Sequence, residues 1–345
     1  MKFLLLIVVM LASICNAQII EIKVTDFKTN LPLNNADVYF MHSTKYYSTN
    51  KDGKVKIELS DISPYDELFV AKKDYQNANL LVKSITPYLN VKLEKINEVM
   101  LNEALITNLT IPDILQKVIE NYDSNYNVDK YYFLVDLKQD FKIDTLYHNS
   151  LNLNLQLKYN KGKLKVKTSG IVKNKIEEGK APIKLSFEQS EYFKNLYILE
   201  TLKSTYQKFI DKKYKFSDLK KSSYADKKMY EIILENDIDD KTYFLIDRET
   251  FTVVEYTLQL NNVILTNKSL PLKRVGDISF KFRPFNDKWV FKESEVKFRM
   301  NLKQVNKQDL MIDFMHKISS WNFSEKPFQH FNKTLDLGQN LHDQF

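Results

Sequence analysis

Cysteine is almost absent. The 345 residues contain one, Cys15, so no disulfide framework exists and stability must come from core packing. Glycine is scarce too: with six in the whole chain, no loop is rich enough in it to cradle a phosphate. The five histidines are His42, His148, His316, His330 and His342. None is followed by Glu or His three or four positions on, the spacing a zinc peptidase needs, which argues against metal catalysis. A G-x-S-x-G elbow, a P-loop and an H-E-x-x-H helix are all missing. Adjacent acids such as Glu177-Glu178 and Asp239-Asp240 mark solvated loops. No catalytic, cofactor-binding or metal-ligating residue is therefore assigned, and a non-enzymatic role is expected. A hydrolase whose carboxylates meet only in the fold is the distant alternative.

Long apolar runs are also missing. The one apolar stretch of note is Phe3–Ala12, preceded by Lys2 and followed by Cys15-Asn16-Ala17. Too short to span a bilayer, it reads as a signal peptide over residues 1–17, cut after Ala17. Ile14 stands where a lipoprotein site wants a small residue, so acylation of Cys15 is not expected. The protein is expected to be exported to the periplasm or to an outer-membrane-associated location. Alternating strands and the C-terminal Phe345 raise the idea of an outer-membrane barrel, but helical segments and few glycines oppose it.

Net charge is +7, yet residues 18–98 hold eleven basic and eleven acidic side chains. The excess lies wholly in the remainder. Solvated strand faces explain most of it, and a weak attraction to an anionic membrane or polymer is the sharper reading. Nucleic acid is not an expected partner.

From Ile19 onward short alternating strands recur about every ten residues: Ile20–Val24, Ala36–Met41, Tyr46–Thr49, Lys54–Leu59, Glu67–Ala71 and Leu89–Leu93. That spacing predicts a small β-sandwich over residues 18–96. Asn50-Lys51-Asp52-Gly53 supplies a tight turn. Pro32-Leu33, Ala36-Asp37-Val38 and Thr49 to Gly53 resemble the carboxypeptidase-regulatory-like domain, a transthyretin-like sandwich. Asp74-Tyr75 stands where that family usually has Gly-Tyr. The resemblance implies a non-catalytic accessory domain.

Residues 97–108 read as a linker. Thr110, Pro112 and Asp113 then open a helix whose apolar face is Ile111, Ile114, Leu115, Val118, Ile119 and Tyr122. Tyr131–Lys142 and the strict alternation of Leu151, Leu153, Leu155, Leu157 and Tyr159 predict an antiparallel sheet with one wet face. Further strands are expected at Met229–Glu235, Tyr243–Asp247, Val253–Leu260, Asp277–Arg283 and Trp289–Leu302. A second amphipathic helix is expected over Glu188–Lys213, and a third from Asp309 to about Ser320 with an irregular tail to 345.

The order of these segments over residues 105–302 is similar to envelope proteins with lipoprotein-carrier (LolA/LolB-like) half-barrels. The resemblance implies a curved antiparallel sheet packed by helices over residues 109–305, mainly β with helices (α+β). It also implies an envelope setting, with an apolar ligand such as a lipid or lipoprotein, or an envelope protein, as partner. An interaction or adhesion module with no small ligand is the alternative. One polar island stands out, Asp247-Arg248-Glu249-Thr250 between two apolar runs. It reads as a hairpin connection, with Asp247 accepting bonds from turn N–H groups and Arg248 and Glu249 in water.

Overall fold

A computed structural model describes residues 19–60, 62–96, 109–126, 130–160, 163–181, 193, 198–267, 270–285, 288–302, 309–337 and 341–344. The chain divides into two compact units, residues 1–100 with 224–226, and residues 101–223 with 227–345.

The first unit has two small sheets. One is ordered β4-β1-β7, from β1 (Ile19–Asp26), β4 (Lys54–Glu58) and β7 (Tyr88–Leu93). The other is ordered β3-β2-β5-β6, from β2 (Asp37–Phe40), β3 (Tyr46–Ser48), β5 (Glu67–Ala71) and β6 (Ala78–Leu81). Ile20, Ile22 and Val24 of one sheet join Val38, Phe40, Leu68 and Val70 of the other in a single buried core. Gly53 has φ +70°, and a Cβ there would stand 2.4 Å from the Val24 carbonyl. The Asp-Gly turn therefore requires glycine for both its backbone sign and its close approach. Asn50 completes the turn, its side-chain oxygen accepting from the N–H groups of Asp52 and Lys54. β6 was not foreseen from sequence.

The second unit is built on one large sheet, open at both ends among the described residues, in the order β11-β12-β13-β14-β15-β16-β17-β8-β9-β10-β18. Its strands are β8 (Tyr131–Ile143), β9 (Tyr147–Asn160), β10 (Lys163–Gly179), β11 (Tyr214–Tyr224), β12 (Lys227–Asn236) and β13 (Lys241–Asp247), then β14 (Val253–Asn267), β15 (Leu270–Phe285), β16 (Lys288–Leu302), β17 (Leu310–Ser324) and the short β18 (Lys333–Thr334). The chain runs up and down, and β17 closes the order by pairing antiparallel with β8, Ile312 opposite Ile143 and Phe323 opposite Phe133.

Two expectations fail here. The segment Asp309–Ser320 is no helix: it lies in strand β17, buried at every second residue from Leu310 to Ser320. The predicted helix Glu188–Lys213 is shorter, α3 (Leu199–Ile210), and most of 188–197 lies outside the described residues. So does the expected linker 97–108. Helices are few, and the unit is mostly antiparallel strand.

Helix α1 (Ile111–Glu120) begins as its sequence dictates. Thr110 accepts from the Asp113 N–H while Asp113 accepts from the Thr110 N–H, a reciprocal capping box that satisfies two otherwise orphaned donors. Ile114, Leu115 and Val118 are buried, and α1 packs beside α3. The one-turn helix α2 (Tyr122–Asn125) follows and rests on β16.

Candidate ligand groove

The polar island is a hairpin turn between β13 and β14. Asp247 is fully buried, and its Oδ1 accepts from the N–H groups of Glu249 (2.8 Å) and Thr250 (3.2 Å). Lys227 Nζ lies 3.2 Å from Oδ2, near enough for an ion pair although not aligned as a hydrogen bond. Arg248 departs from expectation. Its guanidinium lies over the Tyr230 ring, 5.2 Å from the centroid, rather than free in water. The helices clamp this turn: Asn125 donates to the Thr250 carbonyl and Tyr126 to the Val253 carbonyl, both at 2.6 Å, and Lys117 sits over Phe251. Asp247, Arg248 and Thr250 are thus engaged in holding the turn, while Glu249 is exposed.

The apolar face of the sheet carries Phe133, Leu153, Leu155, Phe291 and Ile318 in one cluster, and Val296, Phe298, Ile312 and Phe314 in another. An apolar ligand would be sought here, between α1–α2 and the sheet. Among the described residues, aromatic rings fill the part of that space next to α2. Tyr122 and Tyr126 stack at 4.3 Å, Tyr126 meets Phe282 edge-on at 4.9 Å, and Tyr131 meets Phe133 at 4.6 Å. What remains among them is a void of about 20 Å³, no more than about one water molecule can enter. The same packing buries His316, which Phe193 meets edge-on at 5.6 Å. Burial pushes its imidazole down to about 3, so it is neutral.

The opposite, wet face holds the larger hollow, an open groove of about 840 Å³ across β8, β15, β16 and β17. Strand pairing sets its floor. Lys297 lies opposite Met315 and Met315 opposite Asp140, while Val275 lies opposite Arg299, Arg299 opposite Asp313 and Asp313 opposite Lys142. Successive same-face positions interleave the methionines Met311 and Met315 with charge. Methionine is flexible and polarisable and adapts to irregular apolar shapes. Gly276 lies along the groove, and a Cβ there would stand 2.1 Å from the Lys297 carbonyl, so only glycine lets β15 approach β16 this closely.

Charge around the groove is mostly paired. Arg299 grips Asp313 through two bonds, 2.7 and 3.1 Å, and Lys297 meets Glu295 at 2.7 Å. Deeper along the same face Glu293 is a half-buried carboxylate. Burial alone would raise it, but Lys292, Lys281 and Lys317 outweigh that and hold it at about 2. Lys138 and Lys142 of β8 stay exposed on either side of Asp140, whose carboxylate faces His148 at 3.4 Å. Sequence reasoning assigned no site residue, and the groove is not readable from any local motif, because its lining comes from strands far apart in the chain.

No family model matches the chain, and no curated protein matches it. Among solved structures it is similar to a LolA superfamily protein from Nitrosomonas europaea, at 10% identity over 65% of this chain and 98% of that chain, with a TM-score of 0.20. It is similar to lipovitellin, described for its lipid–protein interactions, at 10% identity over 60% of this chain and 26% of that chain, TM-score 0.24. A third likeness is to the Pseudomonas aeruginosa MucA/MucB complex, 10% identity over 63% of this chain and 99% of that chain, TM-score 0.23. All three are slight.

Proposed function

We propose that the protein is a non-enzymatic binding module of the cell envelope, and that its ligand lies in the open groove on the wet face of the large sheet. The observation that carries this reading is the contrast between the two faces. Beside Tyr122, Tyr126 and Phe133 the described residues leave a void of only about 20 Å³, while the groove offers about 840 Å³ with Met311, Met315 and Val275 interleaved among charges. A site of that volume with apolar contacts and a few placed polar groups suits an amphiphilic small ligand. The expected carrier function therefore moves from beneath the helices to the other side of the sheet.

Native mass spectrometry of the full chain purified from an envelope fraction tests it. A bound amphiphile is expected, lost in Met315→Glu while the melting temperature stays put. A bare mass at every detergent level overturns the reading. The second reading, docking of a partner protein segment, is favoured by the alternating charge rows Lys297, Arg299, Asp313 and Asp140. Pull-down from intact envelope would then enrich a partner over an unrelated exported control.

A further inference from the structure

Several lysines on the wet face of the large sheet are matched by acids, and the exposed Lys138 and Lys142 at least flank the acid Asp140. Lys173 meets Asp136 at 2.8 Å, Lys281 and Lys317 meet Glu293 at 3.4 and 3.1 Å, and Lys297 meets Glu295. One corner departs from this. In the β9–β10 hairpin Lys165 stands directly opposite Lys158, Lys163 opposite Asn160, and Lys167 opposite Gln156. Paired positions share a face, so four ammonium groups crowd one side of two strands. None of the four forms an ion pair with a described residue. Lys163 and Lys165 are exposed and the other two half-exposed. The Gln156 amide oxygen is taken by the Phe328 N–H at 2.6 Å, so it gives the lysines little relief.

Like charges placed directly opposite each other on a strand pair destabilise it. The spacing is about 5 Å across the pair and about 7 Å along each strand. We propose that this lysine corner docks the protein on an anionic phospholipid bilayer. The four charges are spread over an extended strand pair and do not converge on a point. Two of them stand at the exposed end of the strand pair and two are half-exposed further along it, so they face solvent as a row and not as a pocket. A plane of headgroups, with its charges spread over a surface, matches the arrangement. The charge balance of the chain agrees: residues 18–98 are neutral, and the whole excess lies beyond them. This proposal does not rest on the groove.

Each lysine held near an anionic leaflet strengthens binding about five-fold, and the attraction decays over a Debye length of roughly 10 Å at 0.1 M salt. The test is co-sedimentation of the full chain with vesicles of phosphatidylcholine alone or with 30% phosphatidylglycerol, as our chosen probe, at low and high salt. Binding is expected only to the anionic vesicles and only at low salt. The quadruple variant Lys158→Gln, Lys163→Gln, Lys165→Gln, Lys167→Gln should weaken it by nearly three orders of magnitude, about 600-fold. Its melting temperature should not fall, because a repulsion has been removed. A control with the same change of net charge, Lys23→Gln, Lys28→Gln, Lys51→Gln, Lys56→Gln, should bind nearly as the parent does. Equal losses in the two variants, or no binding by the parent, overturn the proposal. So does binding to soluble polyphosphate without binding to vesicles.

Discussion

At the scale of single residues, two fully buried ionisable side chains, Asp247 and His316, are held by different means. Asp247 accepts two turn N–H groups through its carboxylate and faces Lys227. The polar island Asp247-Arg248-Glu249-Thr250 is thus a turn device, with its buried acid engaged by backbone donors. His316 sits among mostly apolar neighbours, and burial is what shifts its imidazole. Its neighbours across the strands are Val296 and Gln139, with Phe314 and Phe193 around the ring. The folded imidazole takes its proton near pH 3, the unfolded one near pH 6.5. Between these values the unfolded chain binds more protons, so stability is full above about pH 6.5 and falls as pH drops toward 3. Glu293, held down to about 2, begins to lose its own contribution only below about pH 4.5. A comparison at pH 7.5 and 5.5 therefore isolates the histidine. Its contribution is a loss of about 1.4 kcal/mol over those two pH units. His316→Phe should remove that loss, as read by urea denaturation at both pH values. An unchanged pH slope in the variant would show that the histidine is not the group responsible.

At the scale of elements, legibility followed how local the signal was. The start of α1 was readable because its whole capping box sits in Thr110–Asp113. β9 was readable because Leu151 to Tyr159 alternate without interruption, and the first-unit strands because turn residues bound them. β17 was not. Met311 and Met315 occupy the wet face with apolar side chains, which blurs the two-residue period and leaves a four-residue step that mimics a helix. What decides the matter is pairing with β8, far earlier in the chain, and no local pattern reports it. β11, at one end of the sheet, failed for a related reason: an edge strand with much of Tyr214–Leu219 open to solvent has little burial to record. The groove shares this invisibility, since it is made by register between β15, β16, β17 and β8. Gly276 is its most sensitive point. In Gly276→Ala the new Cβ would meet the Lys297 carbonyl and the Phe298 Cα, at 2.1 and 2.6 Å, and these are backbone atoms that cannot swing aside. The β15–β16 pair must part locally, at a cost of about 3 kcal/mol, the upper range for overpacking. Amide exchange should quicken in 275–300 while the first unit is unaffected. Unchanged exchange there would mean that the two strands are not so closely set.

At the scale of the whole molecule, the two units differ in how they are stabilised. The large sheet draws its core from segments spread from Tyr131 to Leu341. The sandwich draws its core only from residues between Ile20 and Leu93. Without disulfides, a domain of that size lies near the lower limit at which burial outweighs chain entropy. Yet its core is continuous across both sheets, and its tightest turns are satisfied locally: Asp26 accepts from the N–H groups of Lys28 and Thr29 and from the Tyr75 hydroxyl, and Thr49 bonds both Ala36 N–H and the Leu33 carbonyl. Residues 19–96 expressed alone should accordingly fold, with a dispersed amide spectrum and a cooperative transition of about 4–12 kcal/mol, the range for roughly 80 residues. Tyr224–Asp226 group with the same unit although they are distant in sequence. Should the piece prove unfolded, while the full chain shows the sandwich protected against amide exchange, then the sandwich depends on those three residues. In the folded outcome the neutral sandwich and the basic sheet are separable parts, and the vesicle experiment can be repeated on 19–96 with no binding expected.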